Sequence, residues 1–161
     1  MSAAEPRDLY EEIQEVRALY PPGSRSAVMP ALRLAQERYG WLPPEALREE
    51  ADALDVTSAY CESIASFYDQ YHLAPVGRHL VEVCTNISCA LVGAQQVLEA
   101  FEHELGISAG ETTPDGSVTL RPIECLGGCG WATIVSVDHH YRTHVKPEDV
   151  PQIVGELRSG G

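Results

Sequence analysis

Apolar positions in the first half of the chain recur at helical spacing. Leu9, Ile13, Val16 and Leu19 or Tyr20 form one stripe, which the break "PPGS" ends. A second helix is expected from about Ser26, with Pro30 in its first turn, where a missing N–H costs little, and Gly40 as its stop. Pro43 and Pro44 open a third in "WLPPEALREEADAL", and Thr57 can cap a fourth carrying Ile64, Phe67 and Tyr68. Four short helices with short connections predict a small bundle over residues 1–75. From about residue 76 the period changes. "HLVEVC" alternates like a strand. "CALVGAQQVLEAFEHELG" carries Leu91, Val97, Leu98, Phe101 and Leu105 at helical spacing, with Ser88 as N-cap and Gly106 as stop. "TTPDGSVTLRPIEC" reads as a turn and a strand, "WATIVSV" as a strand, "DHH" as a turn and "YRTHV" as a returning strand. Pro147 then opens a last helix with Val150, Ile153, Val154 and Leu157 inward. Residues 76–161 therefore predict an α/β domain, a mixed sheet covered by helices. No repeat or low-complexity tract appears, and only "RSGG" looks frayed.

Charge narrows the partners. The 161 residues carry 24 acidic and 11 basic side chains, a net charge of −13, which argues against nucleic acid or an anionic membrane surface. No run approaches the roughly 18 apolar residues that span a bilayer, so no direct membrane insertion is expected. "MSAAEPRDLYEE" looks like neither a signal nor a transit peptide, and the expectation is a soluble intracellular protein or an already processed one. In a reducing compartment an odd count of five cysteines points to metal ligation or catalysis before disulfides.

Four of the five fall into two pairs, Cys84 with Cys89 and Cys125 with Cys129, each just beyond a predicted strand. Loops after strand ends converge on one edge of an open sheet, which can bring the four sulfurs together across the 35 residues between the pairs. Cys89 at a helix start is expected to favour the thiolate. Gly127, Gly128 and Gly130 are expected to let backbone amides reach sulfur. A redox dithiol needs CxxC where this chain has "CTNISC". Spacing alone leaves a structural four-cysteine zinc site and an iron–sulfur cluster both open, because tetrahedral sulfur suits either. "CLGGCG" is not the GxGxxG of a nucleotide site, and no GxxxxGK[ST] occurs, so no catalytic residue is assigned.

"VCTNISC" followed by "GETTPDG" and "ECLGGC" resembles the small [2Fe–2S] subunit, the E subunit, of NADH:quinone oxidoreductase, respiratory complex I. "YP", "MPALRLAQERYGWLPPEAL" and "SFYDQYHL" resemble its helical part, so the likeness covers about residues 19–155. The resemblance implies a thioredoxin-like [2Fe–2S] ferredoxin domain preceded by a small N-terminal helical bundle. It implies one cluster held by Cys84, Cys89, Cys125 and Cys129, with FMN and NADH on a partner subunit and a larger iron–sulfur subunit nearby. The place it implies is the peripheral arm on the cytoplasmic side of a bacterial inner membrane. Outer-sphere electron transfer at low potential is the expected chemistry. Similar small subunits serve NAD-linked hydrogenases and formate dehydrogenases, and a free-standing ferredoxin is a further reading. One departure stands out: the family's "CxxAP" is replaced by "CGWAT" at 129–133, with Trp131 expected to pack beside the site.

Other groups are read plainly. Cys61 is expected to be a buried small hydrophobe, and His139, His140 and His144 solvent-facing imidazoles on a strand connection. "YGWLPP" is expected to serve core or subunit contact rather than flavin stacking, and the resemblance favours a docking role for the N-terminal helices.

Overall fold

The computed structural model describes residues 8–159; the first seven residues of "MSAAEPRDLYEE" and the two glycines of "RSGG" lie outside that range, while Arg158 and Ser159, expected to be frayed, belong to the last helix. The chain divides into two compact units, Met1–Pro75 and Val76–Gly161.

The first unit holds α1 (Leu9–Arg17), α2 (Val28–Tyr39), α3 (Pro44–Leu54) and α4 (Ser58–Phe67). Its boundaries follow local chemistry. The Asp8 carboxylate accepts the Tyr10 N–H at 3.3 Å, and the Thr57 hydroxyl accepts the Tyr60 N–H at 3.2 Å. Gly40 ends α2 at φ 77°, a conformation that costs glycine nothing. Leu9, Ile13, Leu32 and Leu42 fill the core, while Ala31, Ala35, Ala46, Ala53 and Ala65 let the helix backbones approach. Phe67 departs from expectation. The buried face of α4 is Cys61 and Ala65, and Phe67, six residues past Cys61, lies about 120° round the helix. It is exposed and meets Tyr68 edge-on at 5.0 Å. Cys61 is fully buried, but facing Glu50 of α3, a polar neighbour that the sequence did not suggest.

The second unit runs β1 (His79–Cys84), α5 (Ile87–Ala90), α6 (Ala94–Leu105), β2 (Val118–Ile123), β3 (Val135–Val137), β4 (His140–Arg142) and α7 (Val150–Ser159). The sheet order is β2-β1-β3-β4, with β1 parallel to β2 and antiparallel to β3. Val81, Val83, Leu120, Val135 and Val137 pack with Val97 and Phe101 of α6 and Val150 and Val154 of α7. Pro122 is tolerated because β2 is an edge strand.

Three local expectations change, the first being the returning strand, which spans His140–Arg142 rather than "YRTHV". The helix drawn from Ser88 is two: Asn86 caps α5 by accepting the Ile87 N–H at 2.8 Å, and Gly93 at φ 100° separates it from α6. β3 begins only at Val135, because a 3-10 turn over Cys129–Trp131 occupies the start of the expected strand. β1 is a strand as its alternation predicts, yet it is buried along nearly its whole length, Glu82 included, so the alternation marks no open face.

Asp138 (φ 49°) and His139 (φ 64°) make the tight β3–β4 turn. The Asp138 carboxylate accepts the Leu80 N–H at 2.8 Å and pairs with His79 Nδ1 at 2.7 Å, tying the hairpin to β1. Gly77 is required by space: a Cβ there would stand 2.9 Å from the Val118 carbonyl carbon and 3.0 Å from the Thr119 nitrogen. Gly77→Ala should therefore lower stability by about 1–3 kcal/mol, read as a shift in the urea midpoint at unchanged slope. An unmoved midpoint would show that β1 and β2 can separate freely there.

Candidate metal centre

The parallel pairing of β1 with β2 sets the site. Cys84 closes β1 directly opposite Ile123, the last residue of β2, so both strands release their loops at one edge. The two loops are joined at the exit, since the Thr85 N–H donates to the Ile123 carbonyl at 2.9 Å and the Thr85 hydroxyl donates to the same oxygen at 3.2 Å. β3 adds a third anchor: the Cys84 N–H donates to the Ile134 carbonyl at 3.1 Å.

Cys84 and Cys89 are buried together in an apolar cluster with Ala94 and Ile134, edged by Ile123, Leu126 and Ala132. Cys125 and Cys129 are exposed. Burial pushes the Cys89 thiol up, and the nearby Cys84 and Cys129 sulfurs act in the same direction, against the Ile134 backbone N–H, which favours the thiolate. The expected helix-start thiolate is therefore opposed. α5 has only four residues and little dipole, and desolvation of the thiolate is the leading cause of the rise. Metal binding at Cys89 must displace its proton.

The glycines divide. Gly127, at φ 74°, turns its N–H onto the Cys125 sulfur at 3.3 Å. Gly128 gives room to Ile134, whose Cδ1 would lie 2.1 Å from a Cβ. Gly130 meets nothing within 4 Å and has no such requirement. Trp131 is 60% exposed, so it presents an aromatic surface beside the loop where packing was expected. Ile87, Leu91 and Val92 are also exposed on the Cys89 side. Among the described residues, no three His, Cys, Asp or Glu side chains gather as a site for one metal ion. A two-iron cluster takes four thiolates and is tuned by hydrogen bonds to its sulfurs. Four sulfurs in two loops, an apolar wall and backbone N–H donors fit that group. His139, His140 and His144 are exposed, with His140 Nδ1 against the Asp138 carbonyl at 2.8 Å.

Residues 13–158 match the family model described as thioredoxin-like [2Fe-2S] ferredoxin. The chain belongs to that family. Its cofactor class is accordingly a [2Fe–2S] cluster. The chain is 40% identical to an E-type subunit of the NADH-quinone oxidoreductase of Rhizobium meliloti, over 92% of this chain and 88% of that one. It is 37% identical to NADH-quinone oxidoreductase subunit 2 of Thermus thermophilus, over 95% and 86%. Among solved structures, a chain of an NAD+-reducing [NiFe]-hydrogenase in the air-oxidized state superposes with a TM-score of 0.71 at 16% identity. That match covers 80% of this chain and 23% of the hydrogenase chain, and it bears on the fold alone.

One participant in this ferredoxin's site escaped the sequence reading. Ile134 looked like an ordinary strand residue, yet both its backbone groups face the cysteines. Thr133, in the same loop, is buried with its hydroxyl unpartnered. Among the described residues no helix is long and apolar enough to cross a membrane.

Proposed function

We propose that this chain is the electron-transfer E subunit of an NADH:quinone oxidoreductase, with Cys84, Cys89, Cys125 and Cys129 as the four thiolates of one [2Fe–2S] cluster. The reading rests on near full-length identity of 37–40% to relatives named as subunits of that enzyme. When bound, the cluster accepts and releases one electron at a time. The chain's own residues hold the thiolates, exclude water with Ala94, Ile134 and Ile123, and offset negative charge on sulfur with the Gly127 and Ile134 N–H groups. No general base or nucleophile is needed, so hydride chemistry belongs to a partner subunit that binds NADH and FMN, with a larger iron–sulfur subunit beyond it. Exposed Ile87, Leu91, Val92 and Trp131 around the cysteine loops support docking of a partner close to the cluster. In the assembled enzyme the chain would lie in the peripheral arm, on the cytoplasmic side of the bacterial inner membrane.

Affinity purification of the natively expressed chain tests this. The expected result is about two iron and two sulfide per chain, visible absorption between about 400 and 550 nm, and a copurifying FMN protein. A colourless chain with one zinc would replace the reading by a structural zinc site of four cysteines. A hydrogenase or formate dehydrogenase component in the eluate would move the chain to that complex, and an iron–sulfur chain with no partner would make it a free-standing ferredoxin.

A further inference from the structure

In the helical unit, Arg33 and Arg38 pair with carboxylates, Glu37 at 2.8 Å and Glu12 at 3.1 Å. Arg17 and Arg25 are held differently. Arg17 Nη1 donates to the Ala53 carbonyl at 3.0 Å, near the end of α3, and the Arg25 guanidinium carbon stands 4.9 Å from the centre of the Tyr60 ring. A carbonyl and an aromatic face position a guanidinium without cancelling its charge. Stacking leaves the in-plane N–H donors of Arg25 available, and Arg17 has others besides the one it uses.

Both arginines line one cavity of about 630 Å3, between the end of α1, the turn that follows it and the α3–α4 connection. That volume falls within the range of about 300–1,000 Å3 typical of small-molecule sites. Its frame is set locally. Gly23 at φ 76° makes the turn, the Ser26 N–H donates to Ser24 Oγ at 3.1 Å and the Val28 N–H donates to the Arg25 carbonyl at 3.2 Å, so the backbone around Arg25 is tied. Thr57 caps α4, whose positive end thus borders the cavity, while the negative end of α3 is covered by Gln14 and Arg17, which both donate to the Ala53 carbonyl. Leu54 and Val56 add an apolar wall. Two guanidiniums against the single carboxylate of Asp55 leave the lining positive, in a chain whose net charge is −13.

We propose that this cavity binds a phosphate monoester carrying hydroxyl groups, a sugar phosphate or a nucleoside monophosphate. The phosphate is held by Arg17 and Arg25, whose forked donors match its oxygens. The organic part lies along Leu54 and Val56, and its hydroxyls donate to the Asp55 carboxylate, which disfavours a second anionic group. Binding is non-covalent and does not depend on the cluster assignment above.

The test titrates the 15N-labelled full chain with ribose 5-phosphate, AMP, inorganic phosphate and ribose, and follows the arginine Nε–H and backbone amide signals. Both esters should shift the signals of Arg17, Arg25 and Thr57–Tyr60 saturably, with a Kd of about 1 mM or below, while ribose shifts none and inorganic phosphate binds at least about tenfold more weakly. Tighter binding of AMP assigns a nucleotide, tighter binding of ribose 5-phosphate a sugar phosphate, and equal values a site that reads ribose phosphate alone. Added salt should weaken all of them. Arg25→Gln, at an exposed turn position, should weaken both esters at least about tenfold, whereas Arg33→Gln, equally exposed but outside the cavity, should leave them unchanged. Far-UV circular dichroism checks that the variants are folded. Should Arg25→Gln fail to fold, Tyr60→Leu, which removes the ring that seats Arg25, takes its place. No saturable shift at Arg25, undiminished affinity in the folded variant, or inorganic phosphate binding as tightly as the esters would overturn the proposal.

Discussion

Replacing Cys89 by alanine should remove iron and acid-labile sulfide from the purified chain, from about two of each to near zero, and with them the EPR signal of the reduced protein. Alanine is chosen because it offers no ligating atom, whereas a serine oxygen could still bind iron. The same outcome is expected for Cys84→Ala, Cys125→Ala and Cys129→Ala, since each iron of such a cluster relies on two cysteine thiolates. Cys61→Ala is the control. It removes a buried sulfur from the helical unit and should cost stability through a small cavity while leaving iron and sulfide unchanged. A variant among the four that keeps full iron and sulfide would show that its cysteine is not a ligand. The buried pair, Cys84 and Cys89, should also show the clearest effect on visible absorption of residual product, because alanine there opens space in the apolar wall formed with Ala94 and Ile134.

The second large effect lies in the helical unit. Glu50 of α3 is fully buried, neither carboxyl oxygen has a hydrogen-bond partner, and burial pushes it up from 4.5 to about 8, a rise that the Cys61 thiol only partly offsets. The groups that feel it stay neutral over this range. Burial and the Glu50 charge push the Cys61 thiol up to about 12, and burial raises the Tyr71 phenol. The folded protein therefore keeps a proton that the unfolded chain releases above about pH 4.5. Stability from this group is fully present below pH 4.5, falls by about 1.4 kcal/mol per unit as pH rises, and levels off beyond pH 8. The total is of order 5 kcal/mol, comparable with the whole stability of a small unit. Glu50→Gln abolishes the titration. The difference in unfolding free energy between Glu50→Gln and the unmutated chain, followed by far-UV circular dichroism in urea, should grow in favour of Gln from pH 5 to pH 8. Taking the difference cancels the other acidic groups. Parallel curves across that range would mean that Glu50 is ionised and solvated in the folded protein.

Much of the local structure is legible along the chain. Gly40, Pro44, Thr57 and Gly106 bound helices where their backbone preferences put them, and the inward stripe of α7 is the one that spacing assigns. The site chemistry is legible too: two cysteine pairs beyond strand ends, in a glycine-rich loop, indicate bound metal before any coordinate is known. The misreadings of burial and thiol chemistry concern quantities that sum over distant residues. Phe67 is exposed because Cys61 and Ala65 already fill the face of α4 that meets the bundle. Glu50 stands among the acids of "WLPPEALREEADAL" in the sequence, and only packing in the folded bundle removes it from water. The Cys89 thiol is pushed up because tertiary burial outweighs a short helix's dipole.

The sequence by itself thus determined which segments turn helical or extended, which residues can bind soft metal, and, through motif spacing, the family. Tertiary structure decided what those residues face. The alignment of Cys84 with Ile123 across parallel strands brings two loops 35 residues apart to one edge, and the pinning of residues 131–133 by 144–145 holds the Thr133 hydroxyl in the buried interior. Local preference acts over a few residues, whereas burial and strand pairing depend on chain segments that meet only in the folded protein.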